Sequence, residues 1–302
     1  MKIAILGAPG CVGRHLIRKL LETPEYTVAA SYRTREEIAP DIQDARLGWK
    51  QVDLLDPVSA GHFLSSTDVL IYLIHSLGAQ NFEELDIKLA HAAGTAAKTA
   101  GVKKIVYLGG IMPPGNQASP HLKSRMETGL ELASHGIPVA EVRASILLET
   151  CSVSYRIVYY LAKRLPVMIT PQWLNSLCAP LSLDDAVTCL AALVSREIQG
   201  HEIFEIGSDI LRYRDLLALC GRAIRGCSNI IIPVPFFAVH LSSLWIQLIT
   251  GVPNTVGVAL AEGLKTNTIP TRNRFKEVAG RDPAPVQDVL ERLAREMKKK
   301  NK

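Results

Sequence analysis

This 302-residue chain has no Cys-x-x-Cys pair and no His/Cys group at zinc-ligand spacing, so neither a dithiol redox motif nor a bound metal is expected. Its six cysteines, at positions 11, 151, 178, 189, 220 and 227, read as reduced, mostly buried thiols of a cytoplasmic protein. The first seven residues run straight from an apolar strand pattern into a glycine turn, so no secretory leader is expected. Charge of one sign is also scarce. Of the net +5, four charges belong to Lys298, Lys299, Lys300 and Lys302, and the body of the chain is close to neutral. A solvated basic tail is the expectation, and no nucleic-acid partner. One run, residues 230–252, lacks Asp, Glu, Lys and Arg, yet Pro233 and Pro235 near its start would break a spanning helix. A strand followed by a buried helix bearing Phe236, Phe237 and Trp245 accounts for it, with peripheral membrane contact as the open alternative.

What is present is a rhythm. Hydrophobic residues make up 48% of the chain and charged residues 21%, enough apolar material for a sizeable core. Apolar runs at 2–6, 27–32, 49–53, 68–74, 104–108 and 139–147 alternate with helical patterns at 12–21, 57–65, 81–100 and 120–135. The runs lack the in–out alternation of a half-exposed strand, so they are expected to be covered on both faces. That predicts an α/β fold, a Rossmann-type doubly wound parallel sheet, over residues 1–150. Beyond it helical runs dominate (153–164, 183–195, 212–225, 236–249, 255–265 and 284–299), with short strands near 167–169, 203–206 and 230–232. The expected division is a smaller, mostly helical substrate lobe over 151–302, with 178–210 returning a helix and a strand to the first domain.

The first turn carries the clearest chemistry. Gly7, Ala8, Pro9, Gly10, Cys11, Val12 and Gly13 spell GxxGxxG between the first strand and the first helix. The glycines permit a tight turn, a close backbone approach to a pyrophosphate, and close helix–strand packing. Amides at the helix start, favoured by the helix dipole, then hold the phosphates. The second strand ends Ser31-Tyr32-Arg33-Thr34-Arg35, with no acid to take a ribose 2′-hydroxyl. Arg33 suits a 2′-phosphate, so NADP(H) is expected in preference to NAD(H), unless Arg33 and Arg35 are simply solvated. Asp53 and Leu54 end the third strand, where the carboxylate either accepts from adenine or is an ordinary strand-end acid. Leu73, Ile74 and His75, with Leu108 and Gly109, leave the carboxyl ends of the fourth and fifth strands, where ligands of open parallel sheets sit.

Taken together, GxxGxxG, residues 72–78 (Tyr-Leu-Ile-His-Ser-Leu-Gly), 107–110 (Tyr-Leu-Gly-Gly), 119–125 (Ser-Pro-His-Leu-Lys-Ser-Arg), 165–173, 204–207 and 252–264 resemble the atypical short-chain dehydrogenase/reductases. The specific likeness is to the NmrA-like, NAD(P)H-binding branch described as nucleoside-diphosphate-sugar-epimerase-like, and it spans almost the entire chain. The resemblance implies a Rossmann fold, a nicotinamide cofactor and a Tyr-x-x-x-Lys helix partnered by a serine at the end of the fifth strand. This chain departs from it. The serine position reads Gly109 or Gly110, and the helix motif reads His121-Leu-Lys-Ser-Arg125. His121 as proton donor and Arg125 as its electrostatic partner is the catalytic reading; an unremarkable histidine near a helix start is the other. Ser76, Met112 and Trp173 are the candidate substrate contacts, and the same Met and Trp would equally serve as plain core.

Three functions follow as expectations. The first is an NADPH-dependent oxidoreductase of a small apolar carbonyl, enone or quinone-like substrate. The second is a non-catalytic NADP(H)-sensing regulator, suggested by the missing motif. The third is an accessory or assembly subunit at a membrane complex, suggested by the apolar run and the basic tail.

Overall fold

The computed structural model describes residues 1–115, 117–234, 249–251 and 253–300. Its first half runs β1 (Lys2–Leu6), α1 (Cys11–Leu21), β2 (Thr27–Tyr32), β3 (Leu47–Gln51), α2 (Pro57–Leu64), β4 (Val69–Tyr72), α3 (Phe82–Thr99), β5 (Lys104–Gly110), α4 (Pro120–Ser134) and β6 (Val139–Ala144). Next come β7 (Leu147–Leu148), α5 (Val153–Arg164), β8 (Val167–Pro171), β9 (Leu177–Cys178), β10 (Leu181–Ser182) and α6 (Leu183–Ser195). The chain continues with β11 (His201–Ile206), β12 (Leu211–Arg212), α7 (Tyr213–Arg225), β13 (Ile230–Val234), α8 (Asn254–Gly263), α9 (Phe275–Ala279) and α10 (Val286–Lys300).

Seven strands form a parallel sheet in the order β11-β6-β5-β4-β1-β2-β3. The central strands are buried on both faces; β4, Val-Leu-Ile-Tyr, has no exposed residue. α1 buries Gly13, Leu16, Ile17 and Leu20, one helical stripe, against the sheet. Each such leucine or isoleucine contributes about 1.5–3 kcal/mol relative to an exposed one. The order reverses at β1, which pairs with β2 on one side and β4 on the other. Ligands of doubly wound sheets bind in the crevice above such a switch point. β11, from the later part of the chain, adds the seventh strand beside β6. α6, whose first turn is capped by Ser182 accepting from the Asp185 amide at 3.0 Å, packs its apolar face into the same core.

α5, α7 and α10 share a second core built on Tyr155, Tyr159, Leu216, Leu217, Leu290 and Leu293. Asp185 ties α6 to the segment before α10, pairing with Arg281 at 2.6 Å and accepting from the Ala284 amide at 3.0 Å.

Several strand boundaries moved by about two residues. The third strand lies two residues earlier than 49–53, because β3 is an edge strand and the buried Val52 and Leu54 lie beyond its ladder. The 139–147 run divides into β6 and β7. Residues 230–234 of the apolar run form β13, paired with β8. Phe236, Phe237 and Trp245 lie outside the described residues, as does most of the helix expected at 236–249. Among the described residues no helix is long and apolar enough to cross a membrane.

Candidate active site

β1 ends in the glycine turn. Gly7 has φ +83°, and a Cβ there would lie 3.0 Å from the Leu73 carbonyl carbon. A Cβ on Gly13 would come within 2.3 Å of the Ala8 carbonyl oxygen, so this residue must be glycine for α1 to pack on β1. The Ser31 hydroxyl accepts from the Gly7 amide at 3.2 Å and steadies the turn from β2. Gly10 stands at the N-cap of α1 without a side chain to cap it. The first-turn amides therefore lack a side-chain acceptor and suit an anion.

This turn opens onto a cavity of about 880 Å³. Of the residues expected around a cofactor, Gly7, Gly10, Cys11, Val12, Gly13, Leu73, His75, Leu108 and Gly109 all line it. Ala8 and Leu54 are buried instead. The Pro9 carbonyl accepts from Arg14 Nε at 2.8 Å, and the Ile74 carbonyl accepts from Arg125 Nη1 at 3.4 Å. Arg33 is 86% exposed, 3.5 Å from Glu37. Asp53 is exposed and accepts from the Leu55 amide at 3.0 Å.

His121, Arg125 and Trp173 also line the cavity, but Ser76 and Met112 do not. The Ser76 amide is taken by Asp86, at 2.7 Å, and Ile111, the neighbour of Met112, is the residue that reaches the wall. His75 and His121 face each other with ring centroids 6.2 Å apart. Desolvation within the cleft, with the Arg125 charge beside them, pushes both imidazoles down, His121 to about 4 and His75 to about 3. His121 is therefore neutral at pH 7. Arg125, one turn along α4 from His121, is buried with its guanidinium 5.1 Å from the Tyr107 ring centroid.

A side chain at the serine position would have to displace a neighbouring side chain. A Cβ on Gly109 would meet Glu141 Oε1 at 2.9 Å, and one on Gly110 would meet Leu122 at 2.8 Å. The buried Glu141 carboxylate is paired with Arg143 and His201 at 2.6 and 2.7 Å. Burial works to raise its pKa, but these two partners hold it below the usual carboxylate value.

The cysteines depart from the sequence reading. Cys11 and Cys151 form a disulfide, their Cα atoms 5.6 Å apart, linking the glycine turn to the segment just before α5. Nothing in linear spacing signals a pair 140 residues apart. Cys178, Cys189 and Cys220 are buried free thiols, each pushed up to about 12 by burial, and Cys227 is exposed. The fold also gathers a group with metal-ligand chemistry that spacing did not reveal, His91, Glu131 and His135; His15 lies near Cys11 and Cys151, but their sulfurs are tied up in the disulfide.

Several site residues had no sequence signal strong enough to single them out. Asp86 is buried on α3, accepting from the Ser76 amide and from the Ser124 hydroxyl at 3.0 Å, and so fixes the loop that presents His75 to α4. Asp86→Ala is expected to cost about 1–3 kcal/mol in thermal or denaturant unfolding, since the Ser76 N–H and the buried Ser124 hydroxyl both lose their acceptor. Tyr213, Thr268 and Ser145 form a hydroxyl chain with links of 2.8 Å at the cavity wall. Burial raises the Tyr213 phenol further from ionisation, so these hydroxyls stay neutral.

The strand order, the glycine cradle and the cavity over the switch point define a dinucleotide-binding protein of the Rossmann type. Residues 7–159 match the NAD(P)H-binding family model, and the chain belongs to that family. Solved structures share the whole fold at low identity. A nucleoside-diphosphate-sugar epimerase from Staphylococcus aureus superposes with TM-score 0.78 at 16% identity, covering 96% of this chain and 100% of that one. The triphenylmethane reductase of a Citrobacter species, complexed with NADP(H), gives 0.78 at 17% identity, with coverage of 97% and 100%. The Escherichia coli NADPH-dependent quinone oxidoreductase, complexed with NADPH, gives 0.76 at 18%, with coverage of 96% and 99%. No curated protein matches the chain at a significant level.

Proposed function

We propose that this protein is an NADPH-dependent reductase of a small, apolar carbonyl, enone or quinone-like acceptor. The observation that carries the reading is the cavity. One end is the uncapped glycine turn, and the rest is walled by apolar side chains such as Ile157, Leu161, Met168, Trp173, Val256 and Leu260. Its polar lining includes two connected groups, His75, His121 and Arg125, and the Tyr213–Thr268–Ser145 hydroxyls. An apolar pocket with a few convergent polar groups orients an oxygen-bearing apolar ligand. The similarity to an NADPH-dependent quinone reductase and a dye reductase points the same way.

The amides of Cys11, Val12 and Gly13 would hold the pyrophosphate, and Arg33 the 2′-phosphate. A reduced nicotinamide, when bound, supplies a hydride. The protein's part is to orient the acceptor and to stabilise the negative charge that grows on its oxygen. Neutral His121 does so as a hydrogen-bond donor, and Arg125 as a fixed buried cation held by Ile74 and Tyr107. The proton that completes the product oxygen comes from solvent, directly or relayed through the His121 imidazole, which gives up its N–H proton and regains one from water. One observation favours a second reading, an NADP(H) sensor without turnover: the absence of both the tyrosine and the serine of the family's catalytic set.

Fluorescence titration with NADPH and NADH, followed by turnover assays on quinones, enones and triphenylmethane dyes, separates the two. Oxidation of NADPH by any acceptor supports the reductase; tight NADPH binding with no turnover on the panel supports the sensor. Arg33→Ala is expected to weaken NADPH about 10-fold and leave NADH unchanged, since the loss is one charge-assisted contact. Equal losses for both cofactors would place the 2′-phosphate elsewhere.

A further inference from the structure

On the face of the molecule where α3 and α4 lie side by side, three metal-ligating side chains converge on one point. His91 comes from α3; Glu131 and His135 come from the end of α4, one helical turn apart. Glu131 Oε1 is 2.8 Å from His91 Nδ1 and 3.3 Å from His135 Nε2. The three ligand atoms all lie within 4.8 Å of one another.

His135 makes this more than a surface ion pair. Its side chain is only 10% exposed, and its Nε2 is buried without a hydrogen-bond partner, although it is aimed at the carboxylate. A buried imidazole nitrogen left in that state costs free energy that a salt bridge of good geometry would have recovered. The ring is held in place by the opposite helix. A Cβ on Gly94, one turn along α3 from His91, would fall 2.1 Å from His135 Cδ2, so glycine is what admits the ring. His91 stands at the solvent edge, 67% exposed, and leaves the point open for entry and for water ligands.

We propose that His91, Glu131 and His135 bind a zinc-class divalent cation that links α3 to α4. Two imidazole nitrogens and one carboxylate oxygen are a donor set suited to zinc, with a fourth position left for water. A cation at their common point satisfies the buried His135 Nε2 and the carboxylate together. None of the three residues lines the dinucleotide cleft.

The test is a Zn²⁺ titration of the purified, metal-stripped protein against a chromophoric chelator, with Co²⁺ spectra in parallel. One Zn²⁺ per chain is expected, with affinity on the order of micromolar for three ligands. His91→Ala, an exposed change that leaves the fold intact, is expected to weaken it at least about 10-fold. His135→Ala also removes a packed ring, so its circular dichroism is recorded beside its affinity. Bound Co²⁺ is expected to show no thiolate charge-transfer band, because the three ligands include no sulfur. The absence of Zn²⁺ binding, equal affinity in His91→Ala and wild type, or a thiolate charge-transfer band in bound Co²⁺ would each overturn the proposal.

Discussion

Gly13→Ala is expected to reduce NADPH affinity at least about 100-fold and to destabilise the protein by about 1–3 kcal/mol, the usual cost of overpacking. The added Cβ would sit 2.3 Å from the Ala8 carbonyl oxygen and 2.7 Å from both its carbonyl carbon and its Cα. These are backbone atoms of the cradle itself, so no side chain can rotate away. The start of α1 must shift outward, carrying the amides of Cys11, Val12 and Gly13 from the place where they point at an anion. Gly61→Ala is the matching control: nothing lies within 4 Å of its Cβ position in α2, and it should leave cofactor affinity unchanged. Fluorescence titration of the two variants decides the matter. A Gly13→Ala protein that binds NADPH as tightly as the wild type would mean the phosphates are not held by this turn.

That turn was legible in the sequence because each requirement on it is local. Gly7, Gly10 and Gly13 are set by a strand, a turn and a helix within a dozen residues, and the apolar runs of the first five strands are equally local. What the sequence hid is non-local. Cys11 meets Cys151 only because the chain beyond β6 returns to the N-terminus of α1. Asp86 lies on an otherwise ordinary helix, and nothing in its neighbours tells that its carboxylate turns inward to the Ser76 amide. Gly109 and Gly110 read as a missing catalytic serine; only the packed structure places Glu141 and Leu122 where a side chain would have to go. The imidazoles illustrate a third kind of gap. His75 and His121 are plain in the sequence as residues, but their charge state depends on burial and on Arg125, which are tertiary facts.

Their charge state governs the last expectation. His121→Ala should lower kcat about 100-fold while NADPH affinity is retained, the loss of one preorganised donor to a developing oxyanion. His121→Gln, which keeps a neutral N–H near the same place, should recover part of the rate. Because the wild-type imidazole is held near 4, its kcat should be flat from pH 6 to pH 8. An imidazolium donor titrating near 6.5 would instead lose activity across that window, and such a profile, abolished by His121→Ala, would sink the neutral-donor reading. Stability carries the same signature. The folded values of His75 and His121 lie below the unfolded 6.5, so the unfolded chain takes up more protons as pH falls. The stability present above pH 6.5 should therefore drain away as pH falls from about 6.5 toward 4 and 3. His121→Ala should flatten part of that slope in denaturant unfolding measured at pH 7, 6 and 5, where a solvated histidine would leave it unaltered.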